Sequence, residues 1–203
     1  MELLIVVVGV SIAFQLSVWN DIRKSNEIEN HLLQNFITEN RLNQAEIDST
    51  VSRMEYTLKT NPELIEMLKN EQTDIDSIRL IMAGLYSISW PDLSSTHLNN
   101  YLEFESAITP LKEEMLVLKT HFISVEELLN FYIDQKQQKY FDYLSDVLDM
   151  TDGLRLVNKE KLHDIKFRNN LLIIYFYEKS LMNTYEKIQL SQKNIAELIE
   201  EQL

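Results

Sequence analysis

A chain of 203 residues is long enough for one domain plus an anchoring segment and too short for two large domains. Its net charge of -13, from 32 acidic against 19 basic residues with no Lys/Arg-rich run, gives a phosphate backbone little to bind and excludes nucleic acid as an expected partner. The absence of Cys excludes disulfide, thiolate and Fe–S chemistry, and only three Gly and three Pro leave few places to turn, which is the composition of an all-α protein.

The chain opens on an apolar stretch, "MELLIVVVGVSIAFQLSVWN", whose residues Leu3 to Trp19 carry no formal charge. As a helix rising about 1.5 Å per residue it covers roughly 26 Å, slightly less than a hydrocarbon core of about 30 Å. Trp19, Asn20 and Asp21 supply an interfacial flank, with Trp19 as its aromatic anchor. A cleavable export signal is disfavoured, because Met1-Glu2 is not a basic start and bulky Phe14, Leu16 and Trp19 stand where a small-x-small cleavage site belongs. A buried helix of a soluble core is the competing reading, since the run is short for a span. Gly9, Ala13 and Ser17 recur every fourth residue on one stripe, and Ser11 with Gln15 point to the opposite side. Small stripes let helices approach closely in lipid, and a Gln there seeks a partner from another helix, so these five are the candidate membrane-helix contacts.

The stretch "ELLIVVVGVSIAFQLSVWNDIRK" resembles the opening of an uncharacterised, Bacteroidota-type family of single-anchor helical membrane proteins with a domain of unknown function. The matching positions are Glu2, Gly9, Ala13, Phe14, Gln15, Leu16, Trp19, Asn20, Asp21, Arg23 and Lys24, covering residues 2–24. The Asn/Leu-rich C-terminal helix is a weaker likeness. Family members carry a basic stretch and a further apolar piece before the Glu, and Asn residues where Ser17 and Val18 stand here. The resemblance implies an inner-membrane protein with a cytoplasmic N-terminus, a periplasmic helical domain and no enzymatic activity. Arg23 and Lys24, the nearest basic residues after the span, pull the other way under the positive-inside rule. A periplasmic domain is the expectation, two basic residues being a weak determinant.

Beyond the anchor, assigned to residues 1–20, a helical domain is expected over 21–203. A long helix over about 21–59 carries Ile28, Leu32, Phe36, Ile47, Val51, Met54 and Leu58 at three-four spacing, with polar Asn40, Asn43 and Gln44 between them. Asn61-Pro62 reads as a cap and a first helical position, so a break is predicted there, followed by shorter helices over about 62–105. Thr109-Pro110 starts the clearest amphipathic helix, predicted over about 110–149, with Leu111, Met115, Leu118, Phe122, Val125, Leu129 and Tyr132 as its apolar face. Thr151-Asp152-Gly153 ends it, and a last helix is predicted over about 159–203. Its "LLIIYFY", Leu171 to Tyr177, is apolar all round and predicts burial on several sides.

No catalytic motif is found. His31, His97, His121 and His163 include no pair at zinc spacing, and the lone Glu160-x-x-His163 is one quarter of a di-iron set. The adjacent pairs Glu113-Glu114, Glu126-Glu127 and Glu200-Glu201 point about 100° apart and read as solvated faces. No cofactor, metal or small-molecule substrate is expected. The reading is an all-α chain in which an N-terminal single-pass transmembrane helix continues into a long helix and then an antiparallel, coiled-coil-like bundle. Its expected function is non-enzymatic assembly at the bacterial envelope, as a homo-oligomer or with other membrane-complex subunits; the alternative is an extracytoplasmic sensor or ligand-binding bundle.

Overall fold

Side chains that alternate three and four residues apart fall on one side of a slightly underwound helix, and three stretches of this sequence keep that spacing for more than twenty residues. In the computed structural model each stretch is one face of a common seam. The structure describes residues 2–70, 74–85, 90–105, 109–136, 142–149, 151–152 and 155–201, with the side chains of 2–6, 83–85, 109, 136 and 142–144 outside that description. In chain order the elements are α1 (Glu2–Lys69), α2 (Ile75–Leu85), α3 (Thr96–Glu103), α4 (Thr109–Lys136), α5 (Asp142–Val147), β1 (Leu148–Asp149), β2 (Arg155–Leu156), α6 (Lys159–Leu162) and α7 (Ile165–Glu200). Of the described residues 88% are helical, as an all-α protein should be.

The seam of α1 runs through Asn43, Ile47, Thr50, Met54, Thr57, Asn61, Leu64 and Leu68, all buried. That of α4 holds Leu111, Met115, Leu118, Val125 and Tyr132, with Phe122 and Leu129 partly buried. α7 keeps the spacing longest, from Phe167 to Ile199. A strict 3.5-residue repeat in facing helices winds them left-handed around one another. α7 packs against both α4 and α1 and runs antiparallel to each. Asn40 pairs with Gln192, Asn61 with Glu178, and Leu68 with His163 along α1, while Tyr132 meets Glu178 on the α4 side.

The α2–α3 segment returns along α1, and its position is fixed by polar groups. Glu39, buried on α1, accepts from the Ser94 hydroxyl at 2.7 Å and from the backbone N–H groups of His97 and Leu98 at 3.0 and 3.1 Å. Those amides are free donors of the first turn of α3, whose N-cap Ser95 makes no side-chain cap bond, so a carboxylate from a neighbouring helix caps α3 and meets its positive dipole end. One turn on, Asn43 donates to the Ser94 carbonyl at 2.7 Å and accepts from the Ser94 N–H at 3.0 Å. Of the polar residues Asn40, Asn43 and Gln44, Asn43 is therefore buried and Asn40 half-buried, while Gln44 is exposed. Asp74 and Asp164 cap α2 and α7 from their own chain positions.

Four expectations are corrected. The predicted break at Pro62 is absent: α1 continues to Lys69. A proline inside a helix costs about 3 kcal/mol, and here the helix is held on both sides of it by buried Thr57, Asn61, Leu64 and Leu68 while Pro62 itself faces solvent. Of the helix predicted over 110–149, Thr109–Lys136 and Asp142–Val147 are described as helix (α4 and α5) with residues 137–141 outside the description, and its last two residues, Leu148-Asp149, instead pair antiparallel with Arg155-Leu156. The helix predicted from Lys159 onward is divided at Asp164, whose extended backbone makes it the N-cap of α7. Finally, "LLIIYFY" buries Leu171 and Ile174 only; Leu172, Ile173 and Phe176 are exposed at 41%, 38% and 56%, because α7 has partners on one side alone there. Glu105, Gly153 and the last two residues, on which helix ends were also predicted, do not alter this order, Gly153 and residues 202–203 lying outside the description.

Asn43→Ala removes a side chain that serves both backbone groups of Ser94, and is expected to cost about 1–3 kcal/mol in urea unfolding. The α4–α7 seam also makes stability pH-dependent. Burial, and then the nearby Lys187 ammonium, hold the His121 imidazole below its ordinary 6.5. The unfolded chain therefore takes up this proton first, so the contribution of neutral His121 is complete above pH 6.5 and is lost as pH falls below it. His121→Gln should flatten the dependence of the urea midpoint between about pH 7.5 and 5.5, a window set by the ordinary imidazole value.

Candidate functional site

Apolar side chains on all sides of one helix have no amphipathic way to be satisfied in water. The candidate residues Gly9, Ser11, Ala13, Gln15, Ser17 and Trp19 all lie on α1, and residues 7–24 are exposed without exception. Val7, Val8, Val10, Ile12, Phe14, Leu16, Val18 and Ile22 are 41–69% exposed, and the bundle first shields α1 beyond them. The accessible surface, 12520 Å², exceeds the value of about 9,900 Å² for a compact monomer of this mass, in line with a projecting rod.

The structure places Gly9, Ala13 and Ser17 one turn apart on one side, with Ser11 and Gln15 across from them, and it brings none of them against another part of the chain. A Cβ at Gly9 meets nothing within 4 Å. The Ser11 hydroxyl donates to the Val7 carbonyl at 2.8 Å, so its polarity is met within the helix. At the end of the rod the Arg23 guanidinium lies 5.9 Å from the centre of the Trp19 ring and bonds Glu27 at 3.0 Å, a stack of aromatic, cation and carboxylate at successive turns. Sequence reading found Trp19 but not this stack, for which the four-residue spacing was the available signal. Among the described residues no helix is long and apolar enough to cross a membrane. The span expected from Leu3 falls partly on residues 1–6, whose side chains lie outside the description.

Inside the bundle, three helices meet at a carboxylate. Glu178 of α7, 2% exposed, accepts from Asn61 Nδ2 at 3.1 Å and from the Tyr132 hydroxyl at 2.7 Å. Nearby on α7, burial raises the Tyr185 phenol far above its ordinary range and leaves its oxygen without a hydrogen-bond partner. Both side chains are buried in the bundle. His163 of the Glu160-x-x-His163 pair turns its Nδ1 to the Leu68 carbonyl at 3.4 Å. Among the described residues no three His, Asp or Glu side chains are grouped to hold a metal ion.

Cavities open on the surface among the described residues. One, of about 330 Å³, lies between residues 90–95 and α4, lined by Trp90, Pro91, Phe122 and Ile133. Another, of about 470 Å³, lies between α1 and α7 and includes Arg41, Gln192 and Lys193, none of which sequence reading marked. No protein-family model, curated protein or solved structure matches the chain.

Asn61→Ala leaves the buried Glu178 short of a donor from α1 and is expected to destabilise the bundle by about 1–3 kcal/mol, read in urea unfolding. The rod should be unaffected, since Asn61 lies in the bundle.

Proposed function

We propose that this chain is a non-enzymatic assembly protein of the bacterial inner membrane, anchored by α1 as a single pass, with its helical bundle in the periplasm. Support comes from one observation above all: α1 leaves the bundle as a rod exposed on every side and apolar over most of its surface from Val7 to Ile22. Covering those side chains is worth on the order of 10 kcal/mol at about 25 cal/mol per Å². Lipid meets that demand all around the helix, whereas one protein partner covers one face. The uncharged run from Leu3 to Trp19, the Trp19–Arg23 stack at its end and the resemblance over residues 2–24 point the same way.

Assembly follows from the two sides of the rod. Gly9, Ala13 and Ser17 offer close approach, and Gln15 offers a hydrogen bond, so contacts with copies of this chain or with other subunits of a membrane complex are served from separate faces. A second reading, a ligand-binding extracytoplasmic bundle, is favoured by the cavity between α1 and α7.

The anchor is tested by washing native membranes at alkaline pH. The full chain should stay in the pellet, and Val10→Lys with Ile12→Lys should release it, each Lys adding about 2.5–3.5 kcal/mol to insertion. Recovery of the unaltered chain in the wash would overturn the anchor. Assembly is read from the mass and composition of the particle purified in mild detergent. Gly9→Leu fits the isolated chain, so a smaller particle in that variant reports a lost contact between chains.

A further inference from the structure

Beside the hydrogen-bonded Asn40–Gln192 pair, α1 and α7 leave a cavity between them. The resulting cavity, about 470 Å³, lies within the size of small-ligand sites, which run from about 300 to 1,000 Å³. Its floor is apolar, made by buried Phe36, Ile195 and Ile199. Its walls carry one cation from each helix, Arg41 of α1 and Lys193 of α7, against the single carboxylate of Glu200.

That balance stands out in a chain of net charge -13. Arg41 makes no hydrogen bond or ion pair among the described residues, and Lys193 is engaged by Glu197 alone, at 3.7 Å between two mostly exposed side chains. Both cations are thus available to an incoming anion, and a guanidinium can hold a carboxylate through two parallel bonds. Gln192, 3% exposed, gives Nε2 to Asn40 at 2.8 Å, so the polar pair beside the cavity is held between the two helices.

The geometry points to a binding site for an amphipathic organic anion: a carboxylate or similar oxyanion between Arg41 and Lys193, and a short apolar body over Phe36, Ile195 and Ile199. N-acyl amino acids have this chemistry. The assignment deepens the ligand-binding reading but rests on the cavity alone, not on the membrane anchor.

The probe is N-octanoylglycine, titrated calorimetrically into the full chain in nanodiscs of neutral lipid, with empty discs as the blank and the uncharged methyl ester as the control. Saturable binding of the acid, at least tenfold tighter than the ester, is expected. Arg41→Gln with Lys193→Gln should weaken the acid at least tenfold at an unchanged thermal midpoint, both side chains being exposed. Ala196→Trp, which fills the cavity from its rim, should abolish binding. No saturable heat above the blank, equal binding of the ester, or full affinity in the double variant would overturn the site. A chain that fails to enter discs contradicts the anchor, and the same titration then runs in buffer and tests the site independently.

Discussion

Glu178 sits where α1, α4 and α7 converge, with Asn61 of α1 and Tyr132 of α4 each donating to one of its oxygens. A carboxylate stripped of water is costly unless its hydrogen bonds are replaced, so sliding any of the three helices by one seam position would forfeit that replacement. The apolar layers above and below, chiefly Leu and Ile, tolerate such slips far better, because neighbouring layers look alike to one another. The polar positions give the bundle its register. Asn43 with Ser94 and Asn40 with Gln192 repeat the device at two further levels, as single polar residues do in coiled coils.

Glu39 shows the same economy applied to a helix end. Its carboxylate serves the Ser94 hydroxyl and two first-turn amides of α3, and Tyr101 at the far end of α3 donates to Glu29 of α1. An eight-residue helix is too short to be stable by itself, and here both of its ends are tied to a helix long enough to be rigid. Much of the buried polarity of α1 thus serves as the bundle's ruler rather than as chemistry.

How much of this was legible in the sequence depended on where the deciding contact lay. The apolar face of α4 from Leu111 to Tyr132 could be read directly, since its spacing runs uninterrupted through the described helix. Pro62 was misread because a proline at a first helical position and one inside a helix look alike over a few residues. What decides is packing against α7, including the contact of Asn61 with a residue 117 positions away. Glu39 and Glu178 were not marked in the sequence for the same reason: what buries them are residues far along the chain. "LLIIYFY" failed differently: its composition implied partners on several sides, and the topology gives α7 only one inner face there. That Gly9, Ala13, Ser17, Ser11, Gln15 and Trp19 share one helix was legible, because one uninterrupted apolar run holds them all. Arg41 and Lys193 were not, being joined in space by helices whose paired residues Asn40 and Gln192 are 152 apart.

α1 is continuous from Glu2 to Lys69, a shaft of about 100 Å at 1.5 Å per residue, with the apolar rod at one end and the polar ruler at the other. Each residue of such a shaft turns the chain by about 100°, so the number of residues between Trp19 and Glu29 fixes the compass direction in which the bundle faces, as well as its height above the rod. In a ring or cluster of copies, every bundle would present the same side to its neighbour. Insertion of a single residue in that stretch would re-aim the whole bundle while leaving its interior untouched.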